Sequence, residues 1–246
     1  MLGVSLTGIM DNEVMNGSGR PKDDMELPKI LEALRDHARE VNKVWSERLG
    51  IPPSVAITCQ KPSGTVSQLV DCASGIHPRY SKYYIRTIRQ DIKDPITKFL
   101  IEQGVPYEPD VMKPDSTVVF SFPQKSPEGA VTRNDRTALE QLELWLVYQR
   151  SWTEHKPSIT VYVKDSEWLE VGAWVYRHFD EVSGISFLPH SDHTYQQAPY
   201  QECSEADYLL AKEHLGVDID WSLFVEDEDN TVASQQLACV SGVCEI

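Results

Sequence analysis

Short runs of β-branched and aromatic residues alternate in this chain with longer segments that have the periodicity of amphipathic helices. Residues 117–122 predict a strand, 135–152 a helix and 158–163 the next strand. A helix over 165–180, with Asp165 as its N-cap, and a strand over 185–188 continue the order. This alternation predicts an α/β fold built from βαβ units, with a largely parallel sheet.

Two further helices are predicted from their apolar spacing and their end signals. Apolar residues at helical spacing over 27–49, closed by Gly50, predict an amphipathic helix whose apolar stripe packs in the core. A helix over 204–215 is predicted because Ser204 and Asp207 have the spacing of a capping box.

A small, hydroxyl-rich turn over 61–67 follows a short apolar run at 55–58, which predicts a buried strand. Three hydroxyls and one glycine lie in the turn: Ser63, Thr65, Ser67 and Gly64. The glycine would let a ligand approach the backbone, and a helix starting near Val66 would direct free N–H groups at the turn. The residues alone leave two interpretations open, a phosphate-binding turn or an ordinary capped strand-to-helix turn. The spacing is not that of a Walker A loop.

Acidic charge is concentrated at one end of the chain. The 246 residues carry a net charge of −15, and residues 201–246 contain 11 acidic residues and one basic residue. Nucleic acid and anionic membranes are therefore excluded as general partners. Residues 61–98 contain seven basic and three acidic residues. This basic segment suits an anionic ligand, or it forms a solvated basic face.

The cysteines bear on both the compartment and the chemistry. Five scattered cysteines do not indicate a secreted disulfide framework, and we find no membrane-length apolar run or signal peptide, so a cytoplasmic location is expected. Cys239 and Cys244 lie five apart with Ser241 and Gly242 between them. Such a pair can form a reversible disulfide, but two idle cysteines or part of a metal site are equally open interpretations.

Other reactive side chains have weaker patterns. Three cysteines are interpreted as small, mostly structural residues: Cys59, Cys72 and Cys203. His190 and His193, with Cys203, allow a zinc-stabilised protein as a minor hypothesis, although a fourth ligand is missing. A functional loop after a strand is the favoured interpretation of this segment, and His77 is interpreted as structural.

Several stretches of the sequence occur together in one enzyme family. They are Pro62-Ser63-Gly64-Thr65 followed by Gly75-Ile76-His77-Pro78, and the segments 3–9, 83–86, 186–190 and 197–200. In combination they resemble ribonucleotide reductases, most closely the monomeric, adenosylcobalamin-dependent (class II) ribonucleoside-triphosphate reductases. The resemblance covers essentially the whole chain but only the C-terminal third or so of such an enzyme.

The resemblance implies a fold and a division of the chain. Residues 1–200 would supply the C-terminal part of the family's ten-stranded α/β barrel. Residues 201–230 would form an acidic helical extension, and 231–246 a flexible tail with the cysteine pair. A partial barrel has unpaired strand edges, so a partner chain, such as an N-terminal reductase chain, is expected.

The resemblance also implies an activity, the conversion of ribonucleoside triphosphates to 2′-deoxyribonucleoside triphosphates by adenosylcobalamin-initiated thiyl-radical chemistry. Four residues would hold the substrate phosphates: Ser63, Gly64, Thr65 and Ser67. Cys239 and Cys244 would re-reduce the active-site disulfide and would themselves be reduced by a thioredoxin-like partner.

Part of the family's machinery has no match in this chain. We find neither the finger loop that carries the radical cysteine nor the allosteric nucleotide region, and no cobalamin contact can be assigned. The chain by itself is therefore expected to be inactive, with the cofactor bound together with the missing part of the enzyme. The alternative hypothesis is a non-catalytic nucleotide- or partner-binding module derived from the reductase.

Overall fold

The chain forms two compact units, each made of two separate stretches of sequence. The computed structural model describes residues 2–19, 25–63, 66–190, 195–225, 239–240 and 243–244. The first unit comprises Met1–Arg79 and Pro127–Ser191, and the second comprises Tyr80–Ser126 and Asp192–Glu245. The predicted boundaries after residues 200 and 230 stay predictions.

The helices and strands follow one another in a mixed α/β order, as predicted. In chain order they are β1 (Val4–Ser5), the 3-10 turn Ile9–Asp11, α1 (Leu27–Leu49), β2 (Thr58–Cys59), α2 (Val66–Leu69), β3 (Tyr83–Asp91), α3 (Pro95–Glu102), β4 (Tyr107–Pro109), β5 (Thr117–Lys125), α4 (Ala138–Ser151), β6 (Ile159–Val163), α5 (Trp168–Arg177), β7 (Ile185–Pro189), β8 (Tyr200–Glu202), α6 (Glu205–His214), the 3-10 turn Trp221–Leu223, β9 (Cys239–Val240) and β10 (Val243–Cys244). None of the helices in the described part of the chain combines the length and apolar character needed to cross a membrane.

The first unit contains the parallel pairs that the alternation predicted. Strand β1 pairs in parallel with β2, and β6 pairs in parallel with β7. Helix α4 lies in the centre of the core, where Leu142, Trp145 and Tyr148 are fully buried. Its first turn is closed by a capping box in which Thr137 and Glu140 exchange hydrogen bonds. The fold therefore places helices against short parallel strands, as the sequence pattern indicates.

Three local predictions in the first unit are wrong in whole or in part. The predicted strand at 55–58 forms only at Thr58 and Cys59. Val55, at the start of the predicted run, is 99% exposed, whereas Ile57 beside the strand is buried. Helix α5 has Glu167, not Asp165, as its N-cap. The apolar stripe of α1 packs in the core only at its N-terminal end, through Leu27 and Leu31. Four apolar residues further along the helix are exposed, namely Leu34, Val41, Trp45 and Leu49.

The second unit has an antiparallel sheet, so the prediction of a largely parallel sheet is wrong for this part of the chain. The strand order is β4-β5-β3-β8, with antiparallel pairing throughout. Only residues 110–116 join β4 to β5. A parallel pair needs a crossover of roughly a dozen or more residues, so this short connection favours an antiparallel pair. Alternation of predicted elements could not distinguish the two cases.

The predicted helix at 204–215 is confirmed as α6. Ser204 and Asp207 form the predicted capping box. In the same unit, the 3-10 turn after α6 lies on α3, where Phe99 contacts the rings of Trp221 and Phe224 at centroid distances of 5.4 and 5.3 Å. These aromatic contacts attach the acidic extension to the second unit as far as the described residues reach.

Candidate functional site

The candidate turn lies beside the segment that leaves β1. The Thr7 hydroxyl donates to the Ala73 carbonyl (3.0 Å) and accepts from the Gly75 N–H (3.0 Å). The Gly8 N–H donates to the same Ala73 carbonyl at 2.7 Å. Two of the stretches that carry the family resemblance, far apart in sequence, are thus hydrogen-bonded to each other.

A buried arginine joins the same two segments through its side chain. The Arg79 Nε and Nη2 atoms donate to the two carboxylate oxygens of Asp11, each at 3.0 Å. Arg79 also donates to the side chain of Asp71 (3.1 Å) and to its backbone carbonyl (2.7 Å). Asp11 in turn accepts from the Ala73 N–H at 2.6 Å. The Arg79 side chain is only 4% exposed, and its bidentate pair with Asp11 fixes the segment around Asp71 and Ala73, which follows the turn and α2.

Serine hydroxyls form hydrogen bonds with the backbone of the turn at Ser63. The Ser74 hydroxyl accepts from the Ser63 N–H (2.9 Å) and donates to the Ser63 carbonyl (3.1 Å). The hydroxyl of Ser67, a fully buried residue, donates to the same Ser63 carbonyl. Ser67 was predicted to contact phosphate. That role stays a prediction, and in this structure its hydroxyl is used to shape the turn.

Ser63 has hydrogen-bonding capacity that the described residues do not use. Its Oγ atom is buried and has no hydrogen-bond partner among the described residues. Most buried polar side-chain atoms do have a partner, so an unsatisfied hydroxyl in a turn asks for an explanation. Gly64 and Thr65, the next two predicted phosphate contacts, lie outside the described residues. Helix α2 begins at Val66, where a helix was predicted, but it is only four residues long.

His77 is held in the core in its neutral form. Its Nδ1 atom lies 3.0 Å from the Ser74 carbonyl, and its Nε2 atom accepts from the Thr160 N–H at 2.9 Å. This arrangement assigns the proton to Nδ1. Burial lowers the pKa of His77 from 6.5 to about 4, against the opposing effect of the hydrogen bond to Ser74. The geometry agrees with the structural interpretation of this histidine.

Gly75 allows a close approach that no other residue would permit. Its φ is +58°, and a Cβ atom there would lie 2.2 Å from the terminal amide of Gln60 and 2.8 Å from the Lys61 carbonyl. The buried Gln60 amide, oriented by its partners, donates to the Ser158 carbonyl (3.1 Å) and accepts from the Ile76 N–H (2.7 Å). Because Gly75 has no side chain, the segment after α2 packs closely against Gln60, the residue that directly follows β2.

Sequence reasoning missed the residues that hold the turn. Thr7 lies in a stretch that carried the resemblance, but its role was not foreseen. Asp11 and Arg79 are 68 residues apart, and no local pattern pairs them. Ser74 was overlooked beside the more prominent glycine at position 75. The available signal in the sequence was the presence of several hydroxyl side chains both after β1 and around the turn.

The remaining candidates are distributed over both units. Cys59 is buried, whereas Cys72 and Cys203 are half-buried, and all three are free thiols. Burial and the neighbouring carboxylates of Asp207 and Glu202 raise the pKa of the Cys203 thiol, which disfavours its reactive thiolate.

The histidine segment contributes no metal site in the described chain. His190 follows β7, and its Nε2 lies 3.1 Å from the Asn134 side-chain oxygen. Within the described ranges, no group of three or more His, Cys, Asp or Glu residues is arranged to hold a metal ion. Ser191, Asp192 and His193 lie outside the described residues.

Backbone pairing brings the two tail cysteines opposite each other. Strands β9 and β10 are antiparallel, and their register aligns Cys239 with Cys244 and Val240 with Val243. Ser241 and Gly242, between the strands, lie outside the described residues. The chain therefore bends back at the predicted place.

We assign no residue of this chain to adenosylcobalamin. In the second unit, β4, β5 and α6 enclose a cavity of about 220 Å³. Sites for drug-sized ligands typically measure about 300–1,000 Å³, so this cavity does not fit a cofactor as large as cobalamin.

Gly75→Ala should destabilise the first unit by about 2–4 kcal/mol, because it adds a steric clash to the strain of a left-handed backbone. Gly129→Ala is the matched control, since Gly129 also has a positive φ (+79°) but has open space around it. Urea unfolding of both variants would measure the difference. Equal losses in the two variants would show that the contact with Gln60 is not close.

The His77 pKa predicts how stability depends on pH. Above pH 6.5 the residue is neutral in both folded and unfolded chains and adds no pH dependence. Below pH 6.5, His77 binds a proton in the unfolded chain but not in the folded chain, where its pKa is about 4. Stability should therefore fall by about 1.4 kcal/mol per pH unit, or about 2 kcal/mol between pH 6.5 and 5.

His77→Gln should remove this dependence while lowering stability at pH 7, and His37→Gln, an exposed position on α1, should retain it. Urea unfolding at pH 7 and pH 5 provides the measurement. An unchanged pH dependence in His77→Gln would assign it to other groups.

Comparison with known proteins gives a consistent result. The chain is 34% identical over 214 residues to a probable adenosylcobalamin-dependent ribonucleoside-triphosphate reductase of Dictyostelium discoideum, which covers 84% of this chain and 27% of the relative. It is 30% identical over 221 residues to the adenosylcobalamin-dependent ribonucleoside-triphosphate reductase of Euglena gracilis (89% of this chain, 30% of the relative). The enzyme of that name from Lactobacillus gasseri is 27% identical over 270 residues and covers the whole chain, which matches 36% of the relative.

A solved structure supports the fold. The crystal structure of a B12-dependent (class II) ribonucleotide reductase superposes with a TM-score of 0.73 and 24% identity, over 88% of this chain and 33% of that protein. No family model matches the sequence. The chain spans about a third of the length of the curated relatives that it matches, and closure into the ten-stranded barrel stays an expectation. It belongs to the adenosylcobalamin-dependent ribonucleoside-triphosphate reductases, of which it represents a part.

Proposed function

We propose that this chain supplies two parts of a ribonucleoside-triphosphate reductase, the turn that holds the substrate phosphates and the cysteine pair that restores the active-site dithiol. The observation that carries the first part is the buried hydroxyl of Ser63, which has no hydrogen-bond partner among the described residues, in a turn held at both ends. The relatives' names give the substrate class. Because the chain spans only about a third of their length, substrate and activity are part of this proposal.

The turn has the chemistry that an anionic phosphate requires. Thr7, Ser74 and Arg79 hold the backbone on either side of it, so its donors need little reorganisation when a ligand binds. The Ser63 hydroxyl is available to donate. Backbone N–H groups of Gly64 and Thr65 would complete the set, and the segment that follows is locally basic. Ser67 would act mainly by shaping the turn.

The register of the tail supports a reversible disulfide. Opposite residues of antiparallel strands have α-carbons about 4.5–5.5 Å apart, within the range of about 4.4–6.8 Å found across disulfides. One thiolate would attack the oxidised active-site disulfide and form a mixed disulfide. The other would attack that bond, which frees the active-site dithiol and leaves Cys239 joined to Cys244. A thioredoxin-like dithiol would then reduce this pair and become oxidised itself.

The proposal makes this chain dependent on the rest of the enzyme. We infer that it does not turn over alone, since no match was found for the loop with the radical cysteine. Adenosylcobalamin would supply radical initiation, and we expect it to bind together with the part of the enzyme that lies outside this chain. A cytoplasmic location, where thioredoxin-like reductants operate, belongs to the same proposal.

Ser63→Ala should weaken binding of inorganic triphosphate to this chain by roughly three- to tenfold, the equivalent of one lost hydrogen bond. Isothermal titration calorimetry measures the affinity, and Ser166→Ala, at an exposed serine of the same unit, is the control. Because the Ser63 hydroxyl has no partner within the described chain, the free energy of unfolding should not fall. Unchanged affinity, or a loss of stability instead, would contradict the ligand role.

Cys239→Ser should abolish multiple turnovers with thioredoxin while sparing one turnover of the pre-reduced enzyme. The protein for this test is the full-length Lactobacillus gasseri reductase with its matching segment replaced by this chain, because that match covers the whole chain. Cys203→Ser is the control for loss of an unrelated cysteine. Normal multiple turnover in Cys239→Ser would exclude the shuttle. Triphosphate binding without any turnover in the unmutated hybrid would favour the non-catalytic binding module.

A further inference from the structure

Helix α1 has an apolar face that the first unit does not cover. Leu34, Val41, Trp45 and Leu49 are 42, 41, 52 and 64% exposed. At about 100° per residue, these four side chains fall within a quarter turn of one another, on a single face of the helix. Beyond the helix, Ile51 and Val55 are 56 and 99% exposed. We call these six residues the α1 apolar face.

Beyond its first turns, α1 contacts its own unit partly through polar side chains. Arg35 donates from Nη1 to the Arg150 carbonyl (3.4 Å), and Asn42 donates to the Ser54 carbonyl (3.3 Å). Ser46, on the same side, is only 6% exposed. This side is centred about a quarter turn around the helix from the α1 apolar face. Leu27 and Leu31, in the first turns of α1 and on the same side as the apolar face, pack in the core. The apolar residues further along that side are exposed.

A charge-assisted contact links α1 to the chain around β2. Arg39 donates from Nε to the Glu154 carboxylate at 2.7 Å. The same carboxylate accepts from the N–H groups of Ile57 and Thr58, at 2.9 and 3.2 Å. This network fixes the position of α1 while the apolar residues from Leu34 onward remain exposed.

Such a face indicates a binding surface. Exposed apolar residues are ordinary when they are scattered singly, but contiguous ones mark sites of interaction. Trp45 at the centre of the face is a residue type that is enriched at interface hot spots. The guanidinium of Arg48 lies 5.1 Å from the centre of its ring and places a cation at the rim. A matching partner surface is apolar with an acidic group at its edge.

We propose that the α1 apolar face docks the part of the reductase that lies outside this chain. The inference rests on the proposed function, in which this chain is one part of a larger enzyme. The relatives are about three times as long as the matched region, which leaves most of their length available to cover the face. Along the chain, this surface and the phosphate turn are different segments: the α1 apolar face precedes β2, and the turn follows it.

Hydroxyl-radical footprinting tests the proposal without nucleotide, cofactor or turnover, so its outcome is independent of the proposed activity. Oxidation of Trp45 and Leu49 would be compared between this chain alone and the full-length Lactobacillus gasseri hybrid, with an added tryptophan peptide to normalise the radical dose. We expect at least a fivefold decrease in the hybrid. Equal oxidation in the two proteins would overturn the proposal.

A variant provides a second measurement. Trp45→Glu should lower the melting temperature of the hybrid but leave that of this chain within a degree or two, because the residue is half-exposed there. Leu169→Glu, at an 89% exposed position on α5, is the matched control for an added surface charge. An equal effect of Trp45→Glu on hybrid and chain, or an equal effect of both variants on the hybrid, would contradict docking at this face.

A third experiment applies if the hybrid does not fold. This chain would be co-expressed with the remaining part of the Lactobacillus reductase as a separate polypeptide, and copurification would be scored for the unmodified chain and for Trp45→Glu. Copurification that Trp45→Glu reduces at least tenfold supports the proposal. The proposal is overturned if neither the hybrid nor the co-expressed chains form a complex. It is also overturned if this chain self-associates and Trp45→Glu abolishes that self-association, because the face would then bind a second copy.

Discussion

The buried guanidinium of Arg79 is the interaction on which the geometry of the turn depends. It joins Asp11, after β1, to the chain around Asp71, and its side chain is almost fully removed from water. A buried charge that loses its partner costs several kcal/mol, so both segments are held where the guanidinium can be satisfied. The Thr7 hydroxyl, which bridges Ala73 and Gly75, adds neutral hydrogen bonds to the same junction.

With the two segments fixed, the polar groups of the turn divide into two kinds. Ser67, Ser74 and His77 use their hydrogen bonds to stabilise the protein, and burial keeps His77 neutral. The buried hydroxyl of Ser63 has no hydrogen-bond partner in the part of the chain that the structure describes. This division explains why a hydroxyl-rich turn is not by itself a binding site, and why one hydroxyl within it is the strongest candidate for a ligand contact.

The first unit also contains features that its own residues do not complete. Its parallel strands form short pairs, β1 with β2 and β6 with β7, and the α1 apolar face stays exposed. Short parallel pairs and uncovered apolar faces are costly for an independent domain, because sheet edges and apolar surface favour association. Both features agree with a chain that spans about a third of its relatives' length.

Local sequence patterns determined most of the elements, because capping, turn chemistry and apolar spacing act over a few residues. The capping box at Ser204, the bounds of α1 and the start of α2 at Val66 are examples. The family itself was also evident from short motifs. Only tertiary structure decided which strands of the second unit pair antiparallel, which face of α1 is buried, and that Asp11 and Arg79 meet. These outcomes depend on contacts between residues far apart in the chain, which no local pattern encodes.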